Sequence, residues 1–186
     1  MDNFDIYKLK KAGLTNQQVI NVLSYAEIQD KELSVKDMAV VSEYLQLDDD
    51  LLCQEFEKFP SFSILDDVYP WDLSEIYNPP VLLFYKGNLD LLKLPKVAVV
   101  GSRNSSRTGS QSVQKIVKEL NNELVIVSGL ARGIDTSAHM AALQNGGRTI
   151  AVIGTGLDVF YPRANKKLQS YLGEHHLVLS EYGPES

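Results

Sequence analysis

The sequence predicts an α/β protein in which a small all-helical domain precedes a parallel sheet. Apolar runs rich in β-branched residues recur in the second half of the chain, beginning at Val97, Leu124, Thr149 and Leu177. Successive starts lie 27, 25 and 28 residues apart, which leaves room for a crossover helix between strands. Strands that are apolar throughout are typical of a sheet covered on both faces. The sheet is therefore expected to be Rossmann-like.

The helical domain is predicted over residues 1–60. Thr15 and Gln18 form a capping-box pattern at the start of an apolar stripe. Apolar residues at helical spacing follow at Met38, Val41 and Leu45 and again at Leu52, Phe56 and Phe59. Stripes of this width are typical of helices that share a core.

Residues 61–95 are predicted to be an ordered lead-in to the second domain, which occupies residues 96–186. The lead-in is rich in proline and aromatic residues. Proline excludes a long helix, and a flexible linker would not carry so many aromatic side chains. The stretch "VLLFYKG" within it is a predicted strand.

Charge is distributed unevenly along the 186 residues, although the net value is −6. Residues 1–80 hold sixteen acids against six lysines, a net charge of −10, whereas residues 81–186 hold twelve basic residues against eight acids, a net charge of +4. All five arginines lie in the second part. A polyanion would therefore meet the C-terminal half, although an acidic helical domain beside an ordinary one would give the same pattern.

Several classes of protein are disfavoured by composition. Cys53 is the single cysteine and there are three histidines, so neither an internal disulfide nor a zinc site is expected. No apolar run reaches eighteen residues and the N-terminus lacks the pattern of a signal peptide. We expect a cytoplasmic protein with no membrane partner.

A candidate site lies where three loops leave the carboxyl ends of the predicted strands. The loops read "GSRNSSRTG", "SGLARGID" and "GTGLDVFYPRANKK". Glycine permits close backbone approach, and the arginine fork suits phosphate oxygens. The dinucleotide pattern G-x-G-x-x-G and the P-loop are both absent, so no cofactor is predicted. A rim that binds a nucleic-acid backbone fits the charge better, with cations at Arg103, Arg107, Arg132 and Arg163.

A hydrolase is a weaker hypothesis. Asp135 and His139 lie four residues apart on one predicted helix, but Ser137 between them points to a different side. Asp135 is more simply a partner of the helix dipole and His139 a packing residue. We predict no catalytic residue.

Four ordered motifs resemble the DNA-processing protein A family, also called DprA or Smf, in its streptococcal type. They are "VAVVGSR", "VSGLARGIDTSAHMAAL", "GGRTIAVIGTGLDVFYPRAN" and "LSEYGP". The resemblance runs from the first helices to the last residue. It implies a sterile-alpha-motif-like (SAM-like) helical domain followed by an extended Rossmann fold.

The resemblance also implies a function without catalysis. Members of the family bind single-stranded DNA during natural transformation, protect the incoming strand and load the RecA recombinase on it. The DNA-binding residues expected here are Gly101, Ser102 and Arg103 of the GSR motif, Arg107, Arg132, Arg163, Lys166 and Lys167. The helical domain would mediate other contacts.

One departure from the family is large. Its members continue after "SEYGP" into a second half of the Rossmann domain, which carries homodimerisation and much of the recombinase contact, whereas this chain stops at Ser186. We therefore expect a C-terminally incomplete sheet with an exposed strand edge.

Two other functions stay open at this stage. The first is a nucleotide-processing enzyme of the lysine-decarboxylase-like phosphoribohydrolase type, whose P-G-G-x-G-T-x-x-E loop has no match, because "NGGRTIAV" leads straight into a strand. The second is a protein-binding scaffold, which predicts no affinity for DNA at low salt.

Overall fold

The computed structural model describes residues 1–29 and 48–186. The helix predicted around Met38, Val41 and Leu45 lies outside the described residues. The chain divides into two compact units, Met1–Leu83 and Phe84–Ser186. The predicted domain boundaries at residues 60 and 95 stay a prediction.

The described residues of the first unit begin with the helices α1 (Asn3–Lys11), α2 (Asn16–Gln29) and α3 (Asp49–Phe56). The predicted capping box is confirmed, because the Gln18 side chain accepts from the Thr15 amide at 2.9 Å and the Gln18 amide donates to the Thr15 hydroxyl. Apolar side chains under 8% exposed lie on all three helices, among them Ile6, Leu9, Val19, Val22 and Leu52. No described helix is long and apolar enough to cross a membrane.

Residues 61–95 form several short regular elements. They contain β1 (Ser61–Ser63), α4 (Trp71–Ser74), β2 (Leu82–Gly87) and a 3₁₀ helix, Leu89–Lys93. The buried Tyr69 hydroxyl donates to the Pro80 carbonyl at 2.8 Å. This bond fixes the proline-rich turn before β2, which is the strand predicted from "VLLFYKG".

The second unit alternates strands and helices. Its elements are β3 (Lys96–Ala98), α5 (Arg107–Leu120), β4 (Val125–Ser128), α6 (Ile134–Gln144), β5 (Thr149–Ile153), a 3₁₀ helix (Arg163–Asn165), α7 (Lys166–His175) and β6 (Leu177–Ser180). The strand order is β1-β2-β6-β5-β4-β3, and β3 to β6 are mutually parallel as predicted. β2 pairs antiparallel with β6, so the sheet is mixed. Apolar content predicts a strand, but its direction is decided by the partner strand.

One face of β3 and β4 packs against helices. Ile126 lies in a core with Val113 and Val117 of α5 and with three alanines of α6, and Val97 and Val99 pack against this cluster. The next residue, Val100, is 68% exposed, and β3 is an edge strand among the described residues. Apolar surface therefore lies open at this edge of the described sheet.

Candidate nucleic-acid interface

The three arginine-bearing loops meet at the carboxyl ends of the parallel strands. Because β3, β4 and β5 are parallel and paired in register, their carboxyl ends lie side by side. The loops form the walls of a solvent-open cavity of about 450 Å³. It is lined by Arg103, Asn104, Gly129, Ala131, Arg132, Ile153, Gly154, Thr155, Tyr161 and Pro162.

The loop after β3 packs closely on the start of α6. A Cβ atom at Gly101 would lie 2.8 Å from the Ile134 side chain, so the GSR turn requires glycine at this position. The Ser102 hydroxyl accepts from the Asn104 amide at 3.1 Å, which stabilises the turn. Arg103 follows with an exposed side chain at the rim of the cavity.

The loop after β4 has an unusual backbone. Leu130 has a φ of +58° and is completely buried, and Gly133 has a φ of +79°. A Cβ atom at Gly133 would collide with the Ser102 carbonyl oxygen. The Ile134 amide donates to that same oxygen at 3.2 Å. The loops after β3 and β4 therefore touch through their backbones, and a side chain at residue 133 would separate them.

The Asp135 side chain forms hydrogen bonds with the backbone of both of these loops. Its carboxylate accepts from the Gly101 amide at 3.3 Å and from the Ala131 amide at 3.4 Å. The side chain is 6% exposed and lies in the first turn of α6, where the helix dipole favours a negative charge. Asp135 is therefore a dipole partner, as expected, and also a structural acceptor for both glycine-containing loops.

The loop after β5 presents an aromatic ring and the basic residues. Tyr161 is 64% exposed and lines the cavity, and its peptide bond to Pro162 is cis. Lys166 lies with its Nζ 4.9 Å from the centroid of the Phe160 ring. The amphipathic Tyr161 side chain offers the cavity an apolar face beside the guanidinium groups.

The eight predicted DNA-binding residues occupy three positions relative to the cavity. Arg103 and Arg132 line it. Gly101 and Ser102 form the turn behind Arg103, and the exposed Arg107 is the first residue of α5. The remaining three lie on the exposed surface after Pro162 and not in the cavity wall, namely Arg163, Lys166 and Lys167.

The guanidinium charges of the arginines at the rim of the cavity are not neutralised by a carboxylate of the described residues. Within residues 1–29 and 48–186, no carboxylate forms an ion pair with Arg103, Arg132 or Arg163. An exposed guanidinium without an internal partner is free to form bidentate hydrogen bonds with a phosphate.

His139 lies in the core and is not part of the cavity wall. Its Nδ1 is 2.7 Å from the Thr149 hydroxyl, which itself donates to the Ile126 carbonyl. The hydroxyl must therefore accept from Nδ1–H, so the proton of the neutral ring lies on Nδ1. Burial lowers the pKa of His139 to about 4. The side chain is a packing histidine, as predicted.

Sequence reasoning missed two polar residues of this region. Thr155 lines the cavity, and Asn165 is buried with its amide bonded to the loop after β4. Thr155 lies between two glycines in "GTG". This pattern could have indicated that the cavity wall at Thr155 consists largely of backbone atoms. Nothing in the local pattern indicates the bonds of Asn165, because its partners lie 29 and 35 residues away in the chain.

Comparisons with known proteins identify the family of this chain. The family profile described as DNA recombination-mediator protein A matches residues 61–186, and the profile of the DNA processing protein A sterile alpha motif domain matches residues 1–49. The chain belongs to the DNA processing protein A family. The recognition drawn from the four motifs is thus confirmed, as is the SAM-like domain before a Rossmann-like sheet.

Individual DprA proteins are similar over most of the chain. It is 69% identical to DNA processing protein DprA of Streptococcus pneumoniae over an alignment of 192 residues, gaps included, which covers 98% of this chain and 68% of that protein. The X-ray structure of the pneumococcal protein superposes with a TM-score of 0.95 at 67% identity, covering 100% of this chain and 69% of the other. This family member thus spans about two thirds of its pneumococcal relative.

A second solved structure is more distant. DNA processing protein A from Helicobacter pylori superposes with a TM-score of 0.59 at 33% identity, over 69% of this chain and 58% of that one. That structure gives insight into the unique single-stranded DNA binding mode of the Helicobacter protein. DprA of Bacillus subtilis is 46% identical over 120 residues, 63% of this chain and 40% of that protein.

Proposed function

We propose that this chain binds single-stranded DNA across the loops that follow β3, β4 and β5. The observation that carries the proposal is the cavity of about 450 Å³ with Arg103 and Arg132 in its wall, neither paired with a carboxylate of the described residues. Arg107, Arg163, Lys166 and Lys167 extend the basic rim. Phosphates would bind to this rim, with the Gly101 and Ser102 turn allowing the strand to approach.

Tyr161 favours a single strand over a duplex. An exposed ring beside cations is the usual platform for an unpaired base, which stacks on it without base-edge hydrogen bonds. A base within a duplex is already stacked on its neighbours. The arrangement therefore supports binding with little sequence preference.

The wider role is proposed on the family relationship. The chain would bind the incoming strand of natural transformation in the cytoplasm, protect it and load the RecA recombinase on it. Homodimerisation and much of the recombinase contact would belong to the part of the pneumococcal relative that lies outside the matched region. The profile description as a recombination mediator supports a non-enzymatic role.

Charge reversal at the rim tests the proposal. Arg103→Glu and Arg163→Glu should each weaken binding of a labelled oligonucleotide about tenfold in about 0.1 M salt. Loss of one phosphate contact accounts for about fivefold, and repulsion adds to it. Fluorescence anisotropy across a salt series measures both the affinity and its salt slope, which should fall by about 0.7 per lost contact.

Arg148→Glu is the matched control. Arg148 is exposed and lies immediately before β5, at the edge of the sheet opposite the cavity. It changes the net charge equally, so its effect should be less than twofold. Equal losses for Arg148→Glu and Arg103→Glu would mean that charge alone is sensed, and unchanged affinity and salt slope for Arg103→Glu and Arg163→Glu would refute the assignment of the site. Only a wild type that does not bind the oligonucleotide even at low salt would leave the scaffold hypothesis.

A phosphoribohydrolase is less well supported. The paired Gly146 and Gly147 end α6 at the amino edge of the sheet, away from the cavity, and no carboxylate is among the described residues that line it. Release of free base from nucleoside monophosphates by the purified chain would revive this alternative.

A further inference from the structure

Asn165 occupies a capping position without capping. It is the residue before the first turn of α7, where an asparagine side chain normally accepts a hydrogen bond from the helix amides. No such bond is made here. Asn165 is 8% exposed, so its polar side-chain atoms are buried and are expected to form hydrogen bonds within the protein.

The amide of Asn165 reaches the loop after β4. Its Nδ2 donates to the Leu130 carbonyl and to the Thr136 hydroxyl, both at 2.8 Å, which uses both hydrogens of the group. The Thr136 hydroxyl donates onward to the Ala131 carbonyl at 2.6 Å. One side chain thus holds two successive carbonyls of that loop, one directly and one through Thr136.

The backbone that receives these bonds is strained. Leu130 has a φ of +58°, a conformation that side-chain-bearing residues rarely adopt and that persists where the surroundings impose it. Arg132 follows Leu130 by two residues, and Arg163 precedes Asn165 by two. The bonds therefore join the two short segments that carry these arginines.

We propose that Asn165 is a positioning residue that fixes the loop bearing Arg132 relative to the segment bearing Arg163. This inference rests on the proposed binding of single-stranded DNA to that rim. Cations held in place before binding lose less conformational freedom when the strand arrives, so the affinity is higher than for the same charges on a loose loop.

The first test needs no DNA. In Asn165→Ala, the backbone amides of residues 130–133 should exchange with solvent at least tenfold faster than in the wild type, because the loop opens locally. Amides of the α5 core should be unchanged. Asn145→Ala is the matched control, since it removes a 2.7 Å bond from an asparagine side chain to the Ala141 carbonyl at the far end of α6. Unchanged exchange at residues 130–133 would overturn the proposal.

The second test is a double-mutant cycle on binding to a labelled oligonucleotide. Asn165→Ala should weaken binding about fivefold and lower the salt slope by about 0.7, as if one phosphate contact were lost. In an Arg132→Ala background the same change should cost less than twofold, because the cation being positioned is already absent. A residue that merely stabilises the fold would show additive losses, and additivity would overturn the proposal.

A second variant guards against misfolding. Thr136→Val keeps the shape of the side chain and removes the hydroxyl between Asn165 and Ala131, leaving α7 untouched, so faster exchange at residues 130–133 is again expected. If the wild type does not bind the oligonucleotide, the proposed function fails, while the exchange result still decides whether Asn165 holds the loop.

Discussion

We predict that the stability of the second unit falls at acidic pH because His139 is buried in its neutral form. Its pKa in the folded protein is about 4, against an ordinary value of about 6.5 for an exposed histidine. Between these values the unfolded chain binds a proton that the folded chain does not, so acidification favours unfolding. The stabilisation from neutral His139 is complete above about pH 6.5 and is lost as the pH falls towards 4.

The magnitude follows from the gap between the two pKa values. At about 1.4 kcal/mol per pKa unit, the full loss is about 3 kcal/mol, and about 2.5 kcal/mol of it has occurred at about pH 4.5. The side chain is completely buried, so solvent does not screen the charge. A loss of this size is a large fraction of the stability of a small domain.

Urea unfolding at about pH 7 and about pH 4.5, followed by circular dichroism, measures the effect. Carboxylates titrate in the same range, so the wild type is compared with His139→Gln, which keeps a polar group near Thr149 but has no proton to gain. The free energy of unfolding of the wild type should fall by about 2.5 kcal/mol more than that of the variant. Equal losses in the two proteins would refute the assignment of a buried neutral histidine.

Two further predictions concern the cavity and its loops. Tyr161→Ala should weaken oligonucleotide binding by about 1 to 3 kcal/mol with an unchanged salt slope, while Tyr161→Phe should bind like the wild type; a changed slope would point to a lost phosphate contact instead. Gly133→Ala should lower the free energy of unfolding by more than about 2 kcal/mol, because its Cβ atom meets the Ser102 carbonyl. Gly146 also has a positive φ, +68° against +79° at Gly133, but open space around it, so Gly146→Ala should cost about 1 kcal/mol, and equal values from urea unfolding would exclude the steric contribution.

Much of the second unit could be predicted from local pattern. The four apolar runs became β3 to β6, since continuous β-branched residues pack well between layers of a sheet. The placement of the arginine-bearing loops at one edge followed, because parallel strands must end on the same side. The antiparallel β2 was predicted as a strand without its direction, which depends on pairing with residues almost a hundred positions later.

The candidate site divided along the same line. By itself, the sequence determined that glycine and arginine recur in three loops and that these motifs match one family. Both results depend only on residues that are adjacent in the chain, because local residues determine the turn geometry and the charge of a loop. The tertiary structure alone decided that Arg103 and Arg132 line one cavity while Arg163 lies outside its wall. It also decided that Asp135 and Asn165 turn inward to bind those loops, since hydrogen bonds between segments about thirty residues apart depend on how the layers pack.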